Sequence, residues 1–113
     1  MMEPLDWNAL RENCAGDESL VNEVLDLFRA EADSLVSDVG AAITKGDAIA
    51  VKRAAHRLKG ALVSLGAKPA TEGARALEIS GGAGDLSTAA ALYANLQMEM
   101  ARLLRVISLP VAA

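Results

Sequence analysis

The residues whose reading decides the fold are 47 to 66: Asp47-Ala48-Ile49-Ala50-Val51-Lys52-Arg53-Ala54-Ala55-His56-Arg57-Leu58-Lys59-Gly60-Ala61-Leu62-Val63-Ser64-Leu65-Gly66. Val51, Ala55, Leu58, Leu62 and Leu65 recur in steps of four, three, four and three, the spacing that gathers apolar side chains on one face of an α-helix. Asp47 stands where a carboxylate can cap a first turn, and Gly66 where a left-handed residue can end a last one. The spacing predicts a helix from about Ala48 to Leu65. With Val51 at zero and about 100° per residue, the other four apolar residues fall within about 40° of it. On the same wheel His56 lies near roughly 140°, Lys59 about 80°, Val63 about 120° and Gly60 about 180°. The ring therefore points away from the core, with Lys59 and Gly60 one turn further along.

Working towards the N-terminus, Gly46 offers a stop for a long preceding segment capped by Asp17, in which Leu20, Val24, Leu27, Phe28, Leu35, Val39 and Ile43 supply the expected apolar stripe. Gly40 lies inside that segment and is expected to weaken or bend it. Before it, Asp6 opens a short turn containing Trp7 and Leu10 that ends near Cys14-Ala15-Gly16. Towards the C-terminus, Pro69 suits the first turn of a shorter helix carrying Ala70, Ala74 and Leu77. That helix is expected to break at Ser80-Gly81-Gly82-Ala83-Gly84. Asp85 then begins a last helix with a stripe of Ala89, Leu92, Leu96, Met100, Leu103 and Ile107, stopped by Pro110. No strand alternation, repeat or long linker interrupts the series. Four amphipathic stripes must leave water, and brief turns make neighbours antiparallel. The expected fold is all-α: an antiparallel up-and-down four-helix bundle with a short N-terminal helix, one domain over residues 1–113.

Composition agrees with this reading and narrows the function. Apolar types make up 52% of the chain and aromatics 3%, a helix-rich balance incompatible with a disordered tail. Lys and Arg number 11 against 15 Asp and Glu, for a net charge of −4, which argues against wrapping nucleic acid. No run approaches the roughly 18 to 20 apolar residues needed to cross a bilayer, and Met1-Met2-Glu3-Pro4 lacks a signal peptide's basic start. Cys14 is the lone cysteine, so no internal disulfide can form, in keeping with a cytoplasmic setting. The Met start and compact length favour a free-standing module, and the lack of a second long apolar stripe favours a monomer.

His56 is the only histidine. An isolated exposed histidine is most often just a solvated polar group, but three local features weigh against that here. Gly60 costs a helix interior roughly 1 kcal/mol relative to Ala, and it removes the side chain that would crowd the ring against another macromolecule. Lys59 places an ammonium where it can pair with anionic oxygens held on the imidazole. Between Ala48 and Thr71 there is no carboxylate, while Lys52, Arg53, Arg57, Lys59 and Lys68 all occur. That positive field suits an anionic group on the ring and an acidic partner surface.

The residues Ala55-His56-Arg57-Leu58-Lys59-Gly60, followed by Leu65-Gly66-Ala67, resemble the signature of histidine-containing phosphotransfer (HPt) domains. Phe28 in the preceding helix and Leu77-Glu78 in the following one extend the resemblance, which covers roughly residues 20 to 104. The resemblance implies a four-helix bundle whose histidine carries a phosphoryl group between two-component signalling proteins. His56 would be the phosphoacceptor, Lys59 the phosphate-stabilising cation and Gly60 the clearance residue. The partners implied are a response-regulator receiver domain and a sensor, or hybrid, histidine kinase. The receiver would bring the acceptor aspartate and Mg2+, with no cofactor bound by this chain. Leu62 and Val63 make the motif helix more apolar than in many members, and Val63 would join Lys52 and Arg53 in docking a partner. The chain would then be a phosphoryl carrier and not an independent enzyme.

Two other classes compete. A plain helical adaptor could use exposed Val63 and Ile49 to bind partners with no covalent chemistry. A hydrolase using His56 as general base needs a nucleophile and an orienting carboxylate. Ser64 lies two turns from the ring, and no acid is near in sequence. One histidine and one distant cysteine cannot fill a zinc ligand set, so no metal site is expected.

Overall fold

In a computed structural model, residues 3–108 are described, and they form five helices: α1 (Trp7–Asn13), α2 (Glu18–Thr44), α3 (Ala48–Leu65), α4 (Lys68–Gly82) and α5 (Ala89–Ser108). Three aspartates start α1, α2 and α3: Asp6 accepts from the Ala9 N–H at 3.0 Å, Asp17 from Ser19 at 2.9 Å and Asp47 from Ala50 at 3.1 Å. Each satisfies an amide that the first helical turn leaves unpaired. At the far end of α3, Gly66 takes φ 77°, which turns the chain so that the Ala67 N–H reaches the Leu62 carbonyl at 3.1 Å. Pro69 falls in the first turn of α4, where no intrahelical donor is missed.

Helices α2 to α5 pack as a ring, α3 against α2 and α4, and α5 against α4 and α2. Short connections make neighbours antiparallel, and the bundle measures 46 × 23 × 22 Å. The stripes expected in α3 and α4 are buried throughout; in α5 only Leu92 is partly exposed. Helix α1 lies over the end of the bundle, with the Asp6 N–H bonded to the Gly66 carbonyl at 2.9 Å and the Asn13 amide to the Ser64 carbonyl at 3.2 Å. Among the described residues no helix is long and apolar enough to cross a membrane.

Two expectations are corrected. In α2 the inward face is Val21, Leu25, Phe28, Ala32, Val39 and Ala42, while Leu20 and Leu27 are 40% and 60% exposed. The helix carries apolar neighbours in pairs, so its stripe can be drawn along either of two adjacent lines; packing selects one. The last helix starts at Ala89 instead of Asp85, because the Asp85 carboxylate accepts the Ser87 N–H at 3.0 Å and holds residues 85–88 in a turn. Helix α4 ends inside the expected break, with Gly82 its last residue and Gly84 at φ 69°, and it runs through Gly81, where a Cβ would lie 2.6 Å from the Lys52 backbone N and 2.7 Å from the Ala48 carbonyl O. That glycine serves helix contact and not helix termination. Gly40 likewise leaves α2 unbroken and makes room for Tyr93, whose hydroxyl would sit 2.6 Å from a Cβ there and donates to the Val36 carbonyl at 3.1 Å. Pro110 falls outside the described residues.

Candidate functional site

His56 sits mid-way along α3 on its outer side, with 71% of its side chain exposed. Ala55 and Leu58 beside it are fully buried, so the backbone that carries the ring is anchored while the ring itself faces solvent. The expectation from the helical wheel holds. What the sequence did not place is Glu78. From α4 its Oε2 meets His56 Nδ1, and its Oε1 accepts from Lys59 Nζ at 2.6 Å. One carboxylate thus bridges both groups.

Glu78 is only 16% exposed and Lys59 23%. The hydrogen bond from Lys59, assisted by His56 and by both groups' charge, holds the Glu78 carboxyl below its ordinary value of 4.5 against the opposing effect of burial. A carboxylate only accepts, so Nδ1 carries the proton in this contact, and in the neutral form of the ring the lone pair is then on Nε2. The arrangement holds the ring at Nδ1 and leaves Nε2 open.

The other expected residues distribute around this centre. Gly60 is exposed, and a Cβ built on it would meet nothing within 4 Å, so the surface beside the ring is open. Val63 and Ile49 are 54% and 63% exposed along the outer side of α3. Lys52 and Arg53 line a shallow depression with His56 and Arg57, and Arg57 also reaches Asp38 at 3.4 Å. Arg53 and Arg57 continue into a groove towards Lys45 at the end of α2. Lys68 departs from the expected field: it lies at the opposite end of α3, in a depression shared with Trp7 and Gly66.

Ser64 donates to its own helix, to the Gly60 carbonyl at 3.2 Å. Glu78 therefore provides the orienting carboxylate a hydrolase would want, while the one hydroxyl considered for attack is engaged elsewhere. Cys14 is buried at the C-cap of α1, and among the described residues no three His, Cys, Asp or Glu side chains gather as a metal site would need.

In the sequence Glu78 stands out only through the pair Leu77-Glu78. The signal that could have found its role is its position beside Leu77, on the flank of the buried face of α4, opposite a stretch of α3 that has cations and no acid.

Comparison with known proteins agrees with this geometry. The family model described as Hpt domain matches residues 23–106. The fold superposes on the crystal structure of histidine-containing phosphotransfer protein B (HptB) from Pseudomonas aeruginosa PAO1 with a TM-score of 0.87 and 27% identity, covering 95% of this chain and 93% of that one. No curated protein sequence matches the chain. A helical bundle with one solvent-facing histidine on its third helix, matched by the family model over most of its length, belongs to the Hpt family, the histidine-containing phosphotransfer domains of two-component relays.

Proposed function

We propose that His56 is the phosphoacceptor of this Hpt domain, and that the chain carries the group between proteins without completing the transfer chemistry itself. The observation that carries the reading is the ring's state: exposed, tied to Glu78 through Nδ1 and free at Nε2. In the forward step Nε2 attacks the phosphorus of an aspartyl phosphate on a receiver domain. The N–P bond forms, the acyl P–O bond breaks, and the receiver's carboxylate leaves. The positive charge that develops on the imidazole is met at Nδ1–H by Glu78. Return of the group to another aspartate is the reverse step. Lys59 neutralises phosphoryl oxygens, and Gly60 leaves the approach clear.

The receiver brings the acceptor aspartate and Mg2+, in keeping with a transfer that depends chiefly on positioning and charge. Lys52 and Arg53 form the cationic side of the docking surface and Val63 its apolar side, with Lys45 extending the cationic side. A sensor or hybrid kinase supplies the phosphoryl group upstream. The partners act in water on a monomeric, cytoplasmic bundle.

Incubation with a phosphorylated receiver domain tests this. Acid-labile, base-stable label on the wild-type chain, absent from His56→Gln with unchanged helicity, supports the carrier. Binding without label would leave the adaptor reading in its place.

A further inference from the structure

We infer that Gly81 is a positioning residue for His56: by letting α4 rest on the backbone of α3, it brings Glu78 within reach of the ring and so selects the imidazole nitrogen that reacts. The inference rests on the phosphoacceptor reading only for the ring's purpose. The geometry is independent of it.

Helices α3 and α4 run antiparallel, so Gly81 opposes Ala48 and Lys52, while Glu78, one turn earlier, opposes His56 and Lys59. Gly81 is buried. A Cβ on it would stand 2.6 Å from Lys52 N, 2.7 Å from Ala48 O and 3.0 Å from Lys52 Cα. All three are backbone atoms of a helix whose inner face is fully buried, so they cannot swing aside as a side-chain tip could. Ordinary contact begins near 3.4 Å, and a methyl group at 81 must therefore move α4 outward by about 0.8 Å. Lys59, with its flexible stem, can follow the carboxylate outward. The imidazole cannot, because its reach from α3 is fixed by two torsions. Gly82 is a built-in comparison: its Cβ would meet only the side-chain carbons of Lys52, at 3.7 and 3.9 Å.

The contact with Glu78 holds the proton on Nδ1. When it is lost, the proton redistributes between the two nitrogens, and fewer rings offer an Nε2 lone pair. One net hydrogen bond supports a population bias of about fivefold.

The test uses the full chain with 15N-labelled histidine, whose single imidazole gives one set of ring signals, and phosphoramidate as a small phosphodonor. Transfer from it forms the Nε2–P bond, breaks the donor's P–N bond and releases ammonia, with no receiver needed. The wild type is expected to show the Nδ1–H tautomer. Gly81→Ala is expected to lose that bias and, as the reactive tautomer falls from about five-sixths of the rings to about half, to be phosphorylated roughly 1.7-fold more slowly, while Gly82→Ala matches wild type in both readings. A wild-type ring with no tautomer bias, or a Gly81→Ala chain with native ring signals, overturns the inference.

Should Gly81→Ala not fold, Glu78→Asp decides. With α4 already at backbone contact, the helix cannot close the missing methylene, so the bias is expected to vanish. A retained bias would show that the spacing adjusts and that Gly81 does not set it. If wild-type His56 takes no phosphoryl group, the functional reading fails while the ring spectrum still decides this one.

Discussion

The Lys59–Glu78 pair can be weighed before it is measured. Its atoms are 2.6 Å apart and its side chains 23% and 16% exposed, between the fully solvated and fully buried extremes. At an effective dielectric of 20 the gross attraction is about 6 kcal/mol. Withdrawing two mostly covered charges from water offsets most of it. Exposed pairs contribute about 0–1 kcal/mol, and breaking a buried one costs about 3–5 kcal/mol. We therefore expect a coupling of about 1–2 kcal/mol at pH 7 in a double-mutant cycle of Lys59→Ala and Glu78→Ala.

Urea unfolding of the four chains measures it. The dependence on pH has a definite sign. Glu78 titrates below its ordinary value of 4.5 when folded, so its contribution to stability is fully present above that value and disappears as pH falls through the lower, folded one. The coupling should persist at pH 6 and vanish on acidification. A coupling indistinguishable from zero at pH 7, or one that survives in acid, would refute the bridge and with it the account of how the ring is oriented.

Two glycines and one surface arginine give further expected outcomes. Gly60→Ala should stabilise the chain by about 0.5–1 kcal/mol, since its methyl meets nothing and favours the helix, while a bulky residue there slows transfer from a receiver; unaltered transfer with Leu would remove the clearance role. Gly40→Ala should destabilise by about 1–3 kcal/mol as the new methyl displaces Tyr93 from Val36, and Tyr93→Phe should lessen that cost; thermal melts of both chains check it. Arg53→Glu should lower the second-order rate of transfer from a receiver by roughly tenfold at low salt, with the loss shrinking as salt rises. Arg105→Glu, an equal charge reversal on α5, should change the rate far less, and equal effects would remove Arg53 from the docking surface.

The legible parts of this fold are those where polar residues flank an apolar stripe. In α3, Lys52, Arg53 and Arg57 leave only one line along which Val51 to Leu65 can be buried, and His56 could be placed on the outside from that line alone. Helix α2 offers Leu20 beside Val21, Val24 beside Leu25 and Leu27 beside Phe28. Two stripes about 100° apart then satisfy the same periodicity, and only the positions of α3 and α5 choose between them. Gly81 and Gly82 posed a different problem. Their intrinsic cost in a helix reads as a break, whereas at Gly81 the tertiary gain of close approach prevails. The Glu78 bridge depends on that approach and on the register set by the turn at Gly66, neither of which is a local property of residues 74–82.

The same bridge bears on why an ammonium suits position 59. On the carrier reading, the phosphorylated ring holds a dianionic group one turn from Lys59, while Glu78 still needs a donor. A lysine has three N–H donors around one centre. It can keep one on Glu78 Oε1 and turn the others towards phosphoryl oxygens, so Glu78 need not be stranded without its donor when the cargo arrives. A guanidinium would satisfy the carboxylate with its flat fork, and Glu78 would then compete with the phosphoryl group for the same face while its other oxygen was drawn from His56. The group that orients the ring and the group that steadies its cargo therefore remain linked through one carboxylate before and after transfer.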